Sequence, residues 1–306
     1  MSAEITIAVV SWNTRGELER CLHSLEPEVE SGRASVWVVD NGSSDGSPDL
    51  VRERFGWATL EEPGENLGYG RAVNLVAQRT GTPWLAASNA DIELEPGALE
   101  QLLATARESG AGAVAPQLIL PDGSTQHSVY GFANFPSLLA FNTGVYRLVP
   151  GLGNRMLVEG HWDATRPRAV PWALGAFLVL RREAFDAAGG FDPAQWLYAE
   201  DVDLGWRLGR AGWKVLYEPE ARVQHASGAA ARQAFGEQPY ERWMAATYDW
   251  IERRRGRPRR IATAAINLGG ALLRRDRAWA RVHRRALSGA RDGRRAGPTN
   301  PPAPEA

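Results

Sequence analysis

Apolar positions in the first hundred residues follow two alternating periods. Ile5–Val10 is a continuous apolar run of strand length. Thr14-Arg-Gly-Glu17 then has the form of a capping box, and Leu18, Cys21, Leu22 and Leu25 recur behind it at helical spacing. Val36–Val39 is a second short apolar run ending at Asp40, and Asn41–Gly46 is turn material. Ser47-Pro48 opens another helix. The pattern then predicts a helix over Leu67–Arg79, a strand over Trp84–Ser88 and a helix over Pro96–Arg107. Strands separated by helices imply right-handed crossovers and an α/β fold with a mainly parallel central sheet flanked by helices.

The alternation lapses over 121–170, where a Pro121-Asp-Gly123 turn is followed by aromatics and scattered Gly and Pro. This stretch reads as an excursion beside the sheet. Order returns with a strand over Ala173–Leu180, helices near 182–188 and 200–211, and short strands over Lys214–Tyr217 and Ala221–Gln224. A helix follows over Tyr240–Arg254. The expected organisation is a main domain over 1–240, a helical Arg-rich extension over 241–295, and a disordered Pro-rich tail over 296–306.

With 44% hydrophobic residues the chain can bury a substantial core, which excludes a disordered protein. The single cysteine, Cys21, excludes an intrachain disulfide framework and a Cys-based zinc finger. No apolar run approaches the roughly 20 residues of a membrane-spanning helix. The N-terminus lacks the charged start of a signal peptide, so a cytoplasmic location is expected. The net charge of -1 hides a strong asymmetry, because residues 251–295 hold 15 Arg against 3 acidic residues. Only Lys214 is lysine among the 35 basic residues, so compositional bias explains Arg over Lys, but not why Arg gathers at one end.

Four polar clusters are expected to follow strand ends: Ser11-Trp12-Asn13, Asp40-Asn41-Gly42-Ser43, Ser88-Asn89-Ala90-Asp91 and Glu200-Asp201-Val202-Asp203. Each taken singly is an ordinary turn or cap. Together, at successive strand ends of a parallel sheet, they converge on the rim where such sheets bind ligands.

The runs VVSWNTRGELERCLHSL, VVDNGSSDGS, NLGYGRAVN, SNADIEL, WALGAFLVLRREAF, YAEDVDLGWRLGRAG and VQHASG, in this order, resemble family 2 glycosyltransferases of the GT-A fold, over about residues 5–228. The resemblance is nearest to a bacterial rhamnosyltransferase-like subgroup. It implies inverting transfer of a sugar from a nucleotide-diphosphate donor, a UDP- or dTDP-sugar such as dTDP-rhamnose. The acceptor would be a hydroxyl of a glycan or polyprenyl-linked acceptor in cell-surface polysaccharide synthesis. A divalent metal, Mg²⁺ or Mn²⁺, is the implied cofactor, and 121–170 becomes an acceptor-side excursion.

The residues fit these roles. The Asp40 carboxylate can accept the imino N–H of uracil or thymine, while Ser11 and Asn13 offer groups for base and ribose. Asp40 also suits a turn into Gly42, and both can hold at once. Asn66, Gly68 and Arg71 lie where backbone N–H groups at a helix start and a guanidinium can face a phosphate. A helix entry with a solvated Arg71 is the alternative there. The resemblance places Asp91 and His225 on the metal, with Asn89 where relatives often have a first Asp. It makes Asp201 the general base, with Glu200 as the alternative base or an acceptor-orienting group, although acids at a helix start also suit the dipole. Trp172, Gly175 and Ala176 match a segment beside the donor sugar, or else form a buried strand. Asp203 and Arg207, four apart, read as a surface ion pair.

Ile261–Leu273 is an uncharged stretch between Arg clusters. It suits either a helix lying on an anionic membrane surface, which would make the protein peripheral on the inner face of the cell membrane, or a helix docked on the body. Nucleic acid is not expected as a partner, since no recognition motif accompanies the charge. Two other readings remain: a catalytically silent carbohydrate- or sugar-nucleotide-binding domain, which Asn89 keeps open, and a sugar nucleotidyltransferase, for which residues 8–20 lack a lysine.

Overall fold

The computed structural model describes residues 3–226 and 239–288. The expected tail 296–306, the last arginines of 251–295 and Ser227-Gly228 of the final motif lie outside the described residues. The chain divides into two compact units, one of Met1–Val129, Ala164–Ala234 and Gly297–Ala306, the other of Tyr130–Asp163 and Phe235–Ala296.

The first unit starts as the hydrophobic pattern predicts. β1 (Ile5–Ser11), α1 (Arg15–Glu30), β2 (Ala34–Asp40), α2 (Ser47–Arg54) and β3 (Thr59–Glu61) are followed by α3 (Tyr69–Arg79), β4 (Trp84–Asn89), β5 (Ile92–Leu94), α4 (Ala98–Ser109) and β6 (Ala113–Ile119). After β7 (Val129–Tyr130), helices α5 (Phe135–Thr143) and α6 (Leu152–Arg155) belong to the second unit. The first unit resumes with β8 (Arg168–Val170), β9 (Trp172–Ala173), β10 (Phe177–Arg181), α7 (Arg182–Ala187), α8 (Glu200–Arg210) and β11 (Val215–His225).

The main sheet has the order β3-β2-β1-β4-β10-β6-β11-β5, with β8 also on β11. From β3 to β4 it is parallel, with Ser11 beside Asp40 and Val10 beside Asn89. β10 then enters antiparallel to both β4 and β6, so the sheet is mixed beyond what the early alternation implies. That strand arrives after a long detour through the second unit instead of a helical crossover, and the right-handed parallel rule does not govern it. Leu18, Cys21, Leu22 and Leu25 of α1 are fully buried, in one cluster with Ile5, Ile7 and Val9. Each such large side chain contributes about 1.5–3 kcal/mol on burial. The Cys21 thiol lies 3.9 Å from the Asn89 carbonyl oxygen, under the site.

Three local expectations change. The capping box at Thr14 does not form: its hydroxyl lies 3.2 Å from Ser11 Oγ instead of capping α1. The single strand expected over Ala173–Leu180 breaks into β9 and β10, because the backbone of Gly175 between them is used by side chains of the site. The two short strands expected over 214–224 are one strand, β11, with a register shift between Glu218 and Arg222.

In the second unit, α9 (Pro239–Arg255), α10 (Arg257–Leu273) and α11 (Arg277–Ser288) join α5 and α6. A polar network runs among its buried apolar side chains, which include Trp250, Ile251, Ala264 and Val282. Asn142 Nδ2 donates to Asn267 Oδ1 at 2.9 Å, Asn267 Nδ2 donates to the Tyr248 hydroxyl at 3.1 Å, and that hydroxyl lies 2.9 Å from His283 Nδ1. Gly270 sits so close to the Asn142 side chain that no Cβ fits between them. Burial, helped by Arg274, lowers the His283 pKa to about 4. Arg260, itself buried, pairs with Glu252 at 3.0 Å. Ile261–Leu273 lies in α10, which packs among the other helices of this unit through Arg260, Thr263, Ala264, Gly270 and Ala271.

Candidate active site

Ser11, Asp40 and Asn89 end three adjacent parallel strands and so share one edge of the sheet. Asp40 Oδ1 accepts from the backbone N–H groups of Gly42, at 3.0 Å, and Ser43, at 2.7 Å, which is the turn role. Its Oδ2 is buried and has no hydrogen-bond partner. Burial raises the Asp40 pKa despite those donors. A buried carboxylate oxygen without a donor is costly to leave unmet, and a ligand N–H would meet it. Ser11 is fully buried beside Thr14. Asn13 adopts a left-handed backbone (φ 50°), and its Oδ1 accepts from Ser44 N at 2.8 Å while its own N–H donates to Ser43 Oγ at 2.8 Å. Asn13 therefore braces the Ser43-Ser44 loop that follows Asp40.

One turn beyond Asn89, Asp91 meets His225 at the end of β11. Their Oδ1 and Nε2 atoms are 3.3 Å apart, and Asn89 Nδ2 is also 3.3 Å from that nitrogen. The side chains of Asp91 and His225 are nearly buried, at 7% and 6% exposure. Pairing of His225 with Ile92 across β11 and β5 fixes this approach. On its other side His225 Nδ1 lies 2.7 Å from Gln126 Oε1, so Nδ1–H donates there and Nε2 is turned to Asp91. A carboxylate and an imidazole, with the Asn89 side-chain amide beside them, suit a borderline divalent cation. Among the described residues no group of three His, Cys, Asp or Glu side chains gathers to enclose a metal. The set therefore fits a cation completed by a ligand's own oxygens and by water, not a closed structural site.

Glu200 and Asp201 open α8. Tyr198 (φ 65°) and Ala199 (φ 61°) just before them both adopt the left-handed region, which is costly for residues with a Cβ. Asp201 accepts from Val202 N, at 2.8 Å, and from the backbone of Gly175. Glu200 is buried, and its Oε2 has no partner. Burial raises both pKa values, and the negative charge of Asp201 raises that of Glu200 further. Two desolvated neighbouring carboxyls resist double ionisation; the backbone donors from Val202 and Gly175 favour the charged form of Asp201, whereas Glu200 Oε2 has no such donor.

The glycine-rich segment serves this pair. A Cβ on Gly68 would collide with the carbonyl of Trp196, and one on Gly70 would lie 2.7 Å from Phe191 Cβ. Trp196 Nε1 donates to the Asn66 carbonyl at 3.2 Å, and Asn66 Oδ1 accepts from Gly68 N at 2.9 Å. Arg71 donates through Nε and Nη2 to the carbonyl of Pro193, at 3.0 and 2.8 Å. Asn74 exchanges two hydrogen bonds with the backbone of Phe191. Thus the Asn66–Asn74 stretch clasps the loop that delivers Glu200 and Asp201. Asp203 and Arg207 are not a surface pair: the Asp203 side chain is fully buried, with Nε to Oδ2 at 2.7 Å, and Arg207 also donates to the carbonyls of Ala188 and Gly190. The reason is that α8 turns this face onto the end of α7.

Trp172 is buried in β9 with its Cβ where a Cβ of Gly205 would be, 2.5 Å away, so it seats α8 on the sheet. Ala176 is buried, and its carbonyl accepts from Asn89 N at 2.9 Å. Sequence reasoning missed Tyr69 and Gln126. The Tyr69 hydroxyl donates to the Gly175 carbonyl, and burial together with the charges of Glu200, Asp201 and Asp91 raises its pKa. No periodicity separates Tyr69 from an ordinary core aromatic, and Gln126 lies in the stretch that has no pattern.

The sheet and its polar edge define a nucleotide-sugar transferase fold. Solved structures share it: GalNAc-T7 with UDP, GalNAc and Mn²⁺ covers 92% of this chain and 55% of its own at a TM-score of 0.61 and 15% identity. The mannosyltransferase PcManGT from Pyrobaculum calidifontis, with GDP-Man and Mn²⁺, covers 95% of this chain and 81% of its own at 0.54 and 16%. The family models for glycosyl transferase family 2 and glycosyl transferase family group 2 match residues 6–160 and 145–283. N-acetylglucosaminyl-diphospho-decaprenol L-rhamnosyltransferase of Mycobacterium tuberculosis is 36% identical over 241 residues, 74% of this chain and 76% of that protein. The O-antigen biosynthesis protein RfbC of Myxococcus xanthus is 31% identical over 260 residues, 79% of this chain and 19% of its own length. The chain belongs to glycosyltransferase family 2, and it has the GT-A fold.

Proposed function

We propose that this glycosyltransferase transfers a sugar with inversion from a UDP- or dTDP-sugar, dTDP-rhamnose being the favoured donor, to a hydroxyl of a polyprenyl-linked glycan acceptor during cell-surface polysaccharide synthesis. The feature that supports the chemistry is the Glu200–Asp201 pair: Asp201 accepts from the backbone of Val202 and Gly175, which favours its carboxylate form and suits it to act as the base, beside a buried Glu200 whose Oε2 has no partner. Asp201 removes the proton of the acceptor hydroxyl as that oxygen attacks the anomeric carbon from the face opposite the leaving diphosphate. Asp40 Oδ2 accepts the imino N–H of the donor base. Asp91 and His225, with Asn89 beside them, would hold Mg²⁺ or Mn²⁺, whose charge offsets that of the departing diphosphate.

The donor choice and lipid-linked acceptor follow the mycobacterial relative's name. Among the described residues no helix is long and apolar enough to cross a membrane. The Arg-rich 251–295 is then the part of the chain that attracts an anionic membrane surface where such acceptors reside.

A thermal-shift screen of UDP-, dTDP- and GDP-sugars with and without Mn²⁺, followed by transfer assays on a polyprenyl-diphosphate-linked sugar, tests the reading. Specific stabilisation by a dTDP- or UDP-sugar and product with inverted anomeric configuration support it. Donor binding without transfer or hydrolysis would identify a silent sugar-nucleotide-binding domain instead.

A further inference from the structure

Every large hydrophobic side chain exposed among the described residues belongs to the second unit. Five lie within eleven positions, on α5 and the turns after it: Leu139, Phe141, Val145, Leu148 and Val149. Leu148 is 81% exposed. The others, Ile261, Leu272 and Leu273, lie on α10, and Leu273 is 73% exposed. The two groups adjoin, because Gly270 packs on Asn142 and Arg274 Nη1 donates to the Asn142 carbonyl at 3.3 Å.

α10 is apolar on two faces. Its buried face carries Arg260, Thr263, Ala264, Gly270 and Ala271, and Asn267 donates inward to Tyr248, whereas Ile261, Ala265, Gly269 and Leu272 line an exposed face without charge. A helix whose solvent side is uncharged and aliphatic departs from the polar outer face expected in water. Arginines bound this apolar surface: Arg257 and Arg259 at the start of α10, Arg274, Arg275 and Arg277 at its end, and Arg147 beside Leu148. Apolar side chains ringed by cations are complementary to a bilayer with anionic headgroups, the side chains entering the acyl boundary and the guanidiniums remaining among the phosphates.

We infer that the face formed by residues 139–149 and the exposed side of α10 inserts into the surface of an anionic lipid bilayer as a monotopic anchor. The inference deepens the membrane reading above and rests on it for its purpose, to hold the enzyme at the plane of a lipid-linked acceptor. It adds what a basic segment alone does not give: named side chains that enter the lipid, and a part of the affinity that salt does not remove.

The test is flotation of the full chain with phosphatidylcholine vesicles containing or lacking 30 mol% phosphatidylglycerol, comparing wild type with the double variant Leu148→Asp, Leu273→Asp. Both side chains are exposed, so melting temperature and donor-induced thermal shift should stay at wild-type values. Wild type should float with the anionic vesicles, bind at least tenfold less to the neutral ones, and keep part of its binding at 1 M NaCl. The variant should lose at least tenfold in partitioning at 0.1 M NaCl and all binding at 1 M. Equal flotation of variant and wild type would overturn the inference, as would a wild-type dimer in sedimentation that the variant dissolves while neither form binds vesicles. The vesicles contain neither donor nor acceptor, so failure of the transferase reading would appear only in the donor screen.

Discussion

Tyr69 and Gly175 are joined at the residue that also holds the proposed base: the phenol donates to the Gly175 carbonyl, and the backbone N–H of the same residue donates to the Asp201 carboxylate. A Cβ at Gly175 would lie 3.2 Å from Tyr69 Cε1, so the two residues are also in close contact. Tyr69→Phe should leave the Gly175 carbonyl unpaired and lower stability by about 1–3 kcal/mol. It should reduce kcat more than it changes donor KM. Denaturant melts and steady-state kinetics on the same variant measure both.

Asp201→Asn should lower transfer by about 10²–10⁴-fold with donor affinity nearly unchanged, the usual cost of a lost general base. Glu200→Gln keeps a neutral side chain of the same shape beside Asp201 and should keep most of the activity. Near-wild-type turnover in Asp201→Asn together with loss in Glu200→Gln would reverse the assignment.

The same pair sets a pH dependence. Because burial raises both pKa values, the acid limb of kcat/KM should lie above the ordinary carboxylate range near 4. For stability the sign is that of raised carboxyls: their contribution is present below the unfolded pKa and lost as pH rises through the folded values. Glu200→Gln should therefore melt higher than wild type at pH 8 and show little difference at pH 4, as a pair of thermal melts can establish.

Asp91→Ala and His225→Ala should each lower Mn²⁺-dependent donor binding, His225→Ala the more mildly. Gln126→Leu should follow them, since it removes the hydrogen bond that orients the imidazole; such outer partners typically matter 10–100-fold for metal affinity. Titration calorimetry with Mn²⁺ in the presence of donor reads this without turnover. Equal wild-type donor affinity in EDTA and in Mn²⁺ would remove the metal role from all three.

In the second unit, acid should loosen the helices before it affects the sheet. His283 has a lowered pKa, so its neutral form contributes stability that is present above the unfolded value near 6.5 and lost as pH falls toward about 4. Helical signal at 222 nm should melt progressively lower over that interval. A chain ending at Arg255 removes Asn267 and His283 from the Asn142–Tyr248 network and should unfold the remaining helices of this unit.

Hydrophobic period was sufficient for β1, α1, β2, α3, β4 and α4, where strands are short and continuous and helices present one apolar face. It was insufficient for β6: Ala113-Val-Ala-Pro116 has small side chains and a proline, and only its neighbours β10 and β11 make it a central strand. The break at Gly175 was also hidden, because it depends on Tyr69 and Asp201, far away in sequence. At the site, residue type together with strand-end position marked Asp40 and Asp91, but the strand end expected before Glu200-Asp201 is absent: a loop after α7 leads into the pair, which opens α8. Arg71 shows the limit of such reasoning, since a guanidinium after a glycine loop suits a phosphate, yet here it grips the Pro193 carbonyl.

Cys21 gives the molecule a built-in clock. The lone thiol is fully buried beneath Asn89, and burial, with the charges of Asp91 and Glu93 adding to it, raises its pKa far above that of a free cysteine. An alkylating reagent needs a thiolate that it can reach, so the native chain should stay unmodified for as long as α1 remains on the sheet. The rate of labelling then counts openings of that helix, and its slowing by a bound ligand reports occupancy of the strand-end edge from below, with no substrate analogue and no engineered probe.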